Sequence, residues 1–198
     1  PPLVTLSRDY GAQGELIAER LAARLGVEVH DHSLIDAVAH QSGSDPRLMA
    51  ELDEKVAHLR DAWVLALLTN QPILNQTYRS HLVNILLALT ETGGVIVGRG
   101  AHVVLAGKAV LRVRIVGSVE TCAKRVAEDE KISLQDARRK VEEINHERSR
   151  FVWEQFHSRL NEAVNFDLIL NTDHIPADAA VELVLAAMAA RGLVTAPR

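Results

Sequence analysis

Five short apolar runs, separated by segments with helical periodicity, constrain this chain more than any other feature. They are "LVTLS" (3–7), "VEVHD" (27–31), "GVIVG" (94–98), "VLRVRIVG" (110–117) and "FDLILN" (166–171). Each is rich in Val, Ile and Leu, and several end in Gly, Asp or Ser. Near-continuous apolar runs suit parallel strands covered on both faces. Strands alternating with helices predict a three-layer α/β/α fold around a five-stranded parallel sheet. In such a fold the ligand crevice lies at the carboxyl ends of the strands.

The helical text supports this layout. "GELIAERLAARLG" places Leu16, Ile17, Leu21 and Leu25 on one face, with Gly26 as a stop. Ser118 is an N-cap candidate before "VETCAKRVAEDE". Ser133 and Asp136 have capping-box spacing before a helix that runs to Phe156. Pro176 and Gly192 bracket a closing helix, and the tail after it reads as frayed. Residues from about 45 to 92 are helical and Leu-rich, broken near Pro72. That is long for one crossover, and predicts an insert over the crevice.

At 198 residues, the chain is expected to form a single domain, 1–198, with a helical insert at about 45–92. A net charge of -4 gives no reason to expect a nucleic-acid or anionic-membrane surface. One cysteine, Cys122, excludes an internal disulfide and a cysteine-built metal site. The longest apolar runs are too short to span a bilayer, and no basic, apolar signal region opens the chain. A cytoplasmic location is the expectation.

"SRDYGAQGELIAERLA" (7–22) follows the first strand and opens the first helix. Strand, glycine-bearing loop and helix are what a phosphate cradle requires: backbone freedom, free N–H groups and a helix N-terminus. A loop of the G-x-x-x-x-G-K-[ST] kind adds a lysine on the terminal phosphates and a hydroxyl on Mg²⁺. With Gly14 as the last loop glycine, Glu15 and Leu16 take those places. With Gln13 in that role, Gly14 and Glu15 do. Neither frame supplies a lysine, so a tight βα turn is the alternative.

Other polar residues stand at strand ends. Arg8 could supply the positive charge the missing lysine would bring. Ser7 or Asp9 could help position a metal, although Asp9 alone reads as part of a solvated loop pair. Arg99, between two glycines in "VIVGRGAH", sits at the crevice mouth, where a guanidinium suits bidentate phosphate recognition. Asp31, between His30 and His32, could hold a sugar hydroxyl, a base edge or a Mg²⁺ water. The paired histidines have no third ligand, so no metal site is expected there. Val141, Ile144, Arg148 and Phe151 share one stripe of their helix. An arginine on an apolar stripe must find an anion, at the crevice or on a neighbouring carboxylate. Arg125 could also point toward a nucleotide, and Arg150 toward another partner. Arg112 and Arg114 alternate with apolar residues, as one partly solvated face does. Trp153 and Phe156 read as core or interface.

Taken in order, these segments resemble the cytidylate kinase-like family, a branch of the P-loop nucleoside monophosphate kinases. "VTLSRDYGAQGELIAERLAARLGVEVHDHSLI" is similar to that family's opening. "GGVIVGRGAHVVL" resembles its V-I-V-G-R-G/C-A segment, and "VLRVRIVGSVETCAKRVAEDEKISLQDARRKVEEINHERSRF" its fourth strand, arginine-bearing helix and lid. Residues 45–75 match nothing specific. The departures are His32 and Glu147, where relatives carry basic residues.

The resemblance implies phosphoryl transfer from ATP, with Mg²⁺, to a nucleoside monophosphate or another small acceptor. It implies that Ser7, Gly11, Ala12, Gln13, Gly14 and Glu15 hold the nucleotide's phosphates. Arg8, Arg125 and Arg148 would serve the transferring group, the latter two from a lid at about 118–156. Arg99 and Asp31 would lie on the acceptor side. Without the lysine, a non-catalytic nucleotide-binding regulatory module is the alternative. A homodimer through the 45–92 helices is a third.

Overall fold

A computed structural model describes residues 1–32, 35 and 78–194. The expected break at Pro72, most of the insert and the end of the tail lie outside those residues. The first strand, β1 (Leu3–Arg8), is buried along its whole length and leads into helix α1 (Gly14–Leu25). Strand β2 (Val29–His30) follows. Helix α2 (Tyr78–Thr92) carries the Leu-rich pattern into β3 (Gly94–Val97). A single-turn helix, α3 (Ala101–Val104), precedes β4 (Leu111–Val116). Then come α4 (Val119–Glu130), α5 (Leu134–Phe156), β5 (Leu168–Asn171) and α6 (Ala177–Ala190).

The five strands form one parallel sheet in the order β2-β3-β1-β4-β5. Leu6 of β1 is in register with Val97 of β3 and Val113 of β4. One face carries Val4, Leu6, Val113 and Ile115 against α1 and α6, where Ile17, Leu21, Val184 and Met188 are buried. The other carries Leu3 and Ile96 against α2, through Leu82, Ile85 and Leu89. Both faces are covered, which is why the strands lack a polar alternation.

The caps fall where the sequence sets them. Ser118 Oγ accepts from the Thr121 N–H, and Ser133 Oγ from the Asp136 N–H. These bonds fix the starts of α4 and α5, and hence the rotation of α5 over the sheet. Among the described residues no helix is long and apolar enough to cross a membrane.

Two expectations are corrected. Arg114 is buried rather than partly solvated, and Asp9 is half-buried in an ion pair rather than part of a solvated loop. The Arg114 side chain is 5% exposed and pairs with Asp9 Oδ1 at 2.6 Å; Asn161 Oδ1 accepts from the same nitrogen at 3.1 Å. A charge inside a sheet needs such partners. Phe156 joins the core, whereas Trp153 is half exposed, edge-on to His157.

Candidate functional site

The connection from β1 passes over β3 to reach β2, and that from β3 passes over β1 to reach β4. The carboxyl ends of β1 and β3 therefore flank the switch point, where open α/β sheets bind ligands. A cavity of about 590 Å³ opens there. β1 and its loop supply Ser7, Arg8, Tyr10 and Glu15; the turn after β3 supplies Gly98, Arg99 and Gly100; α5 forms the roof with Ile144, Glu147, Arg148 and Phe151.

Arg8 organises the floor. It is 5% exposed, and its stem lies against Gly14. A Cβ on Gly98 would come within 2.9 Å of Arg8 Nη1, and a side chain on Gly100 would collide with the Phe156 ring. Gly98 and Gly100 also adopt φ of +80° and +69°, which disfavour any larger residue. The glycines of "VGRG" thus admit an arginine on one side and an aromatic ring on the other. Arg99 between them stacks its guanidinium 4.5 Å from the Phe151 ring centroid.

Arg8 Nε donates to Glu15 Oε1 at 2.8 Å. Arg148, from the roof, donates through Nη1 to the Arg8 carbonyl oxygen at 3.0 Å, and its Nη2 lies 3.7 Å from the same Glu15 oxygen. Burial and the facing Arg8 guanidinium pull Arg148 down to about 10. Burial works to raise the Glu15 carboxyl, but Arg8 and Arg148 outweigh it and hold it below the usual carboxylate value. Two crowded cations sharing one carboxylate form a site that gains from a further anion.

The loop is stitched to the roof. The Tyr10 N–H donates to Asn145 Oδ1 at 2.8 Å, and its hydroxyl donates to Glu130 at the end of α4. Arg148 lies 5.7 Å from the Tyr10 ring centroid. At the helix start, Gln13 is left-handed and gives no side-chain cap, and the Glu15 N–H in the first turn of α1 donates to its own carboxylate.

The structure gathers Ser7, Arg8, Glu15, Arg99 and Arg148 around one cavity, and adds Arg150, Glu154 and His32. Ala12 is fully buried beneath the loop. Arg125 does not line the cavity; it donates to the Gly11 carbonyl at 3.3 Å and to the Thr172 carbonyl at 2.6 Å, tying the loop to the end of β5. Asp31 is exposed at the end of β2 and does not line the cavity. No group of three or more His, Cys, Asp or Glu that could hold a metal occurs among the described residues.

Sequence reasoning missed Tyr10, Arg114 and His102. His102 is 1% exposed, stacks 4.8 Å from the Phe166 ring and lies 3.3 Å from Ser7 Oγ through Nδ1. Burial, then Arg114 and Arg112, push it down to about 4, so it is neutral at physiological pH. Its place directly after "GRGA" was the available signal.

Comparison with known proteins fits this geometry. The structure is similar to an uncharacterised protein from Eubacterium ventriosum, with a TM-score of 0.73 at 17% identity over 95% of this chain and 98% of that one. A shikimate kinase from Acinetobacter baumannii, in complex with shikimate, gives a TM-score of 0.50 at 16% identity over 98% and 96%. An unliganded sugar kinase from Janibacter gives 0.51 at 16% over 98% and 99%. At these identities the likeness is one of fold. No curated protein matches. The profile of the cytidylate kinase-like family spans residues 3–174, which include both strand ends, the loop and the arginine-bearing roof, and the chain belongs to that family.

Proposed function

We propose that this protein is a small-molecule kinase, moving the terminal phosphoryl group of ATP to a small acceptor, a nucleoside monophosphate among the candidates. The observation that carries the reading is the convergence of Arg8 and Arg148 on one carboxylate at the carboxyl end of β1. Phosphoryl transfer demands little covalent help from a protein; it needs positioning and neutralised charge.

The residues fit a triphosphate. Gln13 leaves the first turn of α1 uncapped, and Arg8 sets a guanidinium beside it. Free backbone N–H groups of the loop from Gly11 to Gly14 and the Ser7 hydroxyl would hold the phosphates, in place of the Glu15 carboxylate, with Arg8 standing for the lysine; the Ala12 N–H is already given to the Asp9 carbonyl. Mg²⁺ would arrive with the nucleotide and be held largely by phosphate oxygens. ATP supplies the activated phosphoryl group; the bond to ADP breaks as the bond to the acceptor oxygen forms, and the acceptor's proton leaves to solvent or a base. Arg148 neutralises charge on the transferring group. Arg99, fixed against Phe151, orients an acceptor anion, with His32 lining the same cavity. Helices α4 and α5 act as the lid that excludes water, and Arg125 holds the loop in shape.

A screen of nucleoside monophosphates and small metabolites for ADP release tests this reading. Arg148→Ala should abolish turnover while nucleotide binding persists. Turnover unchanged in that variant sinks its role. One observation favours the second reading, a non-catalytic nucleotide-binding module: Arg8 occupies the space a lysine at Gly14 would need. ATP binding with no acceptor phosphorylated would select it.

A further inference from the structure

We infer that His102 is a positioning residue: its Nδ1–H donates to Ser7 Oγ and so turns the serine's own proton into the cavity, toward an oxyanion of the bound ligand. The inference rests on the anion-binding reading of the cavity and assigns the hydrogen-bond direction on its floor.

Two observations carry it. Ser7 lines the cavity yet is 5% exposed, and its hydroxyl meets His102 Nδ1 at 3.3 Å. A hydroxyl has one proton and two lone pairs. If the imidazole accepts, that proton is used inside the protein and Ser7 offers the cavity only lone pairs, which repel an anion. If the imidazole donates, the proton is free for the ligand.

The other ring nitrogen decides between these. His102 Nε2 is buried and has no hydrogen-bond partner among the described residues. A proton there would be an orphaned buried N–H, the rarer and costlier kind of unsatisfied group. It would also stand in the field of Arg114 and Arg112, the cations that act on this ring. Arg114 Nη1 is itself a buried donor with no partner among the described residues. A bare Nε2 lone pair suits that cationic surrounding better than an N–H does, so the proton belongs on Nδ1. Phe166, stacked on the ring at an interplanar angle of 25°, fixes the plane of the imidazole.

The test has two arms on the full chain. Nitrogen-15 NMR of histidine-labelled protein reads the tautomer with no ligand present, and does not depend on any variant folding. A protonated Nδ1 with a bare Nε2 is expected; a protonated Nε2 overturns the inference. Calorimetry with inorganic phosphate then compares the unchanged protein with Ser7→Ala, His102→Gln and His102→Asn. Ser7→Ala and His102→Gln should each bind phosphate about tenfold more weakly. His102→Asn, whose side-chain N–H stands near the Nδ1 position, should recover most of that loss. Phosphate binding that is equal in Ser7→Ala and the unchanged protein overturns the donor role while leaving the kinase reading standing. No phosphate binding by the unchanged protein overturns the anion site itself, and the donor role with it.

Discussion

The stem of Arg8 fills the space that a side chain on Gly14 would need: a Cβ there would lie 2.5 Å from Arg8 Cβ and Cγ. In the frame where Gln13 stands for the last loop glycine, Gly14 occupies the lysine position. The room for a lysine stem in that frame is taken by Arg8. A cation from the end of β1 enters from below, and the helix start is stripped of its side chain to admit it.

This relationship predicts a strong coupling. Gly14→Ala should cost about 1–3 kcal/mol by overpacking. In an Arg8→Ala background the same change should cost far less, leaving a coupling of about 1–2 kcal/mol in a double-mutant cycle. Urea unfolding of the four proteins measures it. Additive losses would mean that the two side-chain positions do not compete.

Glu15 stands where a ligand's anion would serve both arginines. Its carboxylate holds Arg8 at 2.8 Å and Arg148 at 3.7 Å. Glu15→Gln keeps the shape and removes the competing charge. Its affinity for inorganic phosphate should rise, by roughly threefold to tenfold at low ionic strength. Calorimetry at matched salt reads this directly. Equal or weaker binding would show that Glu15 helps hold the anion.

A third prediction concerns acid. Asp167 Oδ1 accepts from Arg112 Nη2 at 2.9 Å, and its Oδ2 from the Arg112 N–H at 2.8 Å and from Arg191 Nη1 at 2.9 Å. Burial works to raise this carboxyl, but the bonds from Arg112 and the charge of Arg191 leave it below its usual value. A folded-state pKa below the unfolded one gives stability that is present above the unfolded carboxyl range. It is lost as pH falls through the lower folded value. Asp167→Asn should cost about 1–3 kcal/mol at pH 7. The gap to the unchanged protein should start to narrow as pH falls below the unfolded carboxyl value, about 4, and keep narrowing further into acid. A constant gap across that range in urea melts would refute the linkage.

Much of this was legible in the sequence, for physical reasons. Runs such as "GVIV" are buried on both faces and announce a parallel strand by composition alone. Ser133 and Asp136 mark the start of α5, which fixes Arg148 on its inward stripe. Arg114 was not legible, because a charge alternating with apolar residues looks the same whether it meets water or Asp9. His102 was hidden likewise: its partners, Ser7 and Phe166, are separated from it by 95 and 64 residues of chain. Local pattern encodes which face an element buries, but the partner across the fold depends on topology.

Arg148 predicts a trade between stability and binding. Burial and the Arg8 guanidinium both act against its charge, while Glu15 and the Arg8 carbonyl oxygen offset them only in part. A cation held in that condition is expected to cost the fold stability and to gain from a further anion. Arg148→Met keeps an apolar stem of similar length on the cavity roof and removes the charge. It should unfold at the same temperature as the unchanged protein or higher, a gain of up to about 2 kcal/mol. Saturating phosphate should raise the melting temperature of the unchanged protein and leave that of the variant unmoved. A variant that melts well below the unchanged protein without phosphate would make Arg148 a structural tie between α5 and the loop. A variant still stabilised by phosphate would move the anion site elsewhere in the cavity.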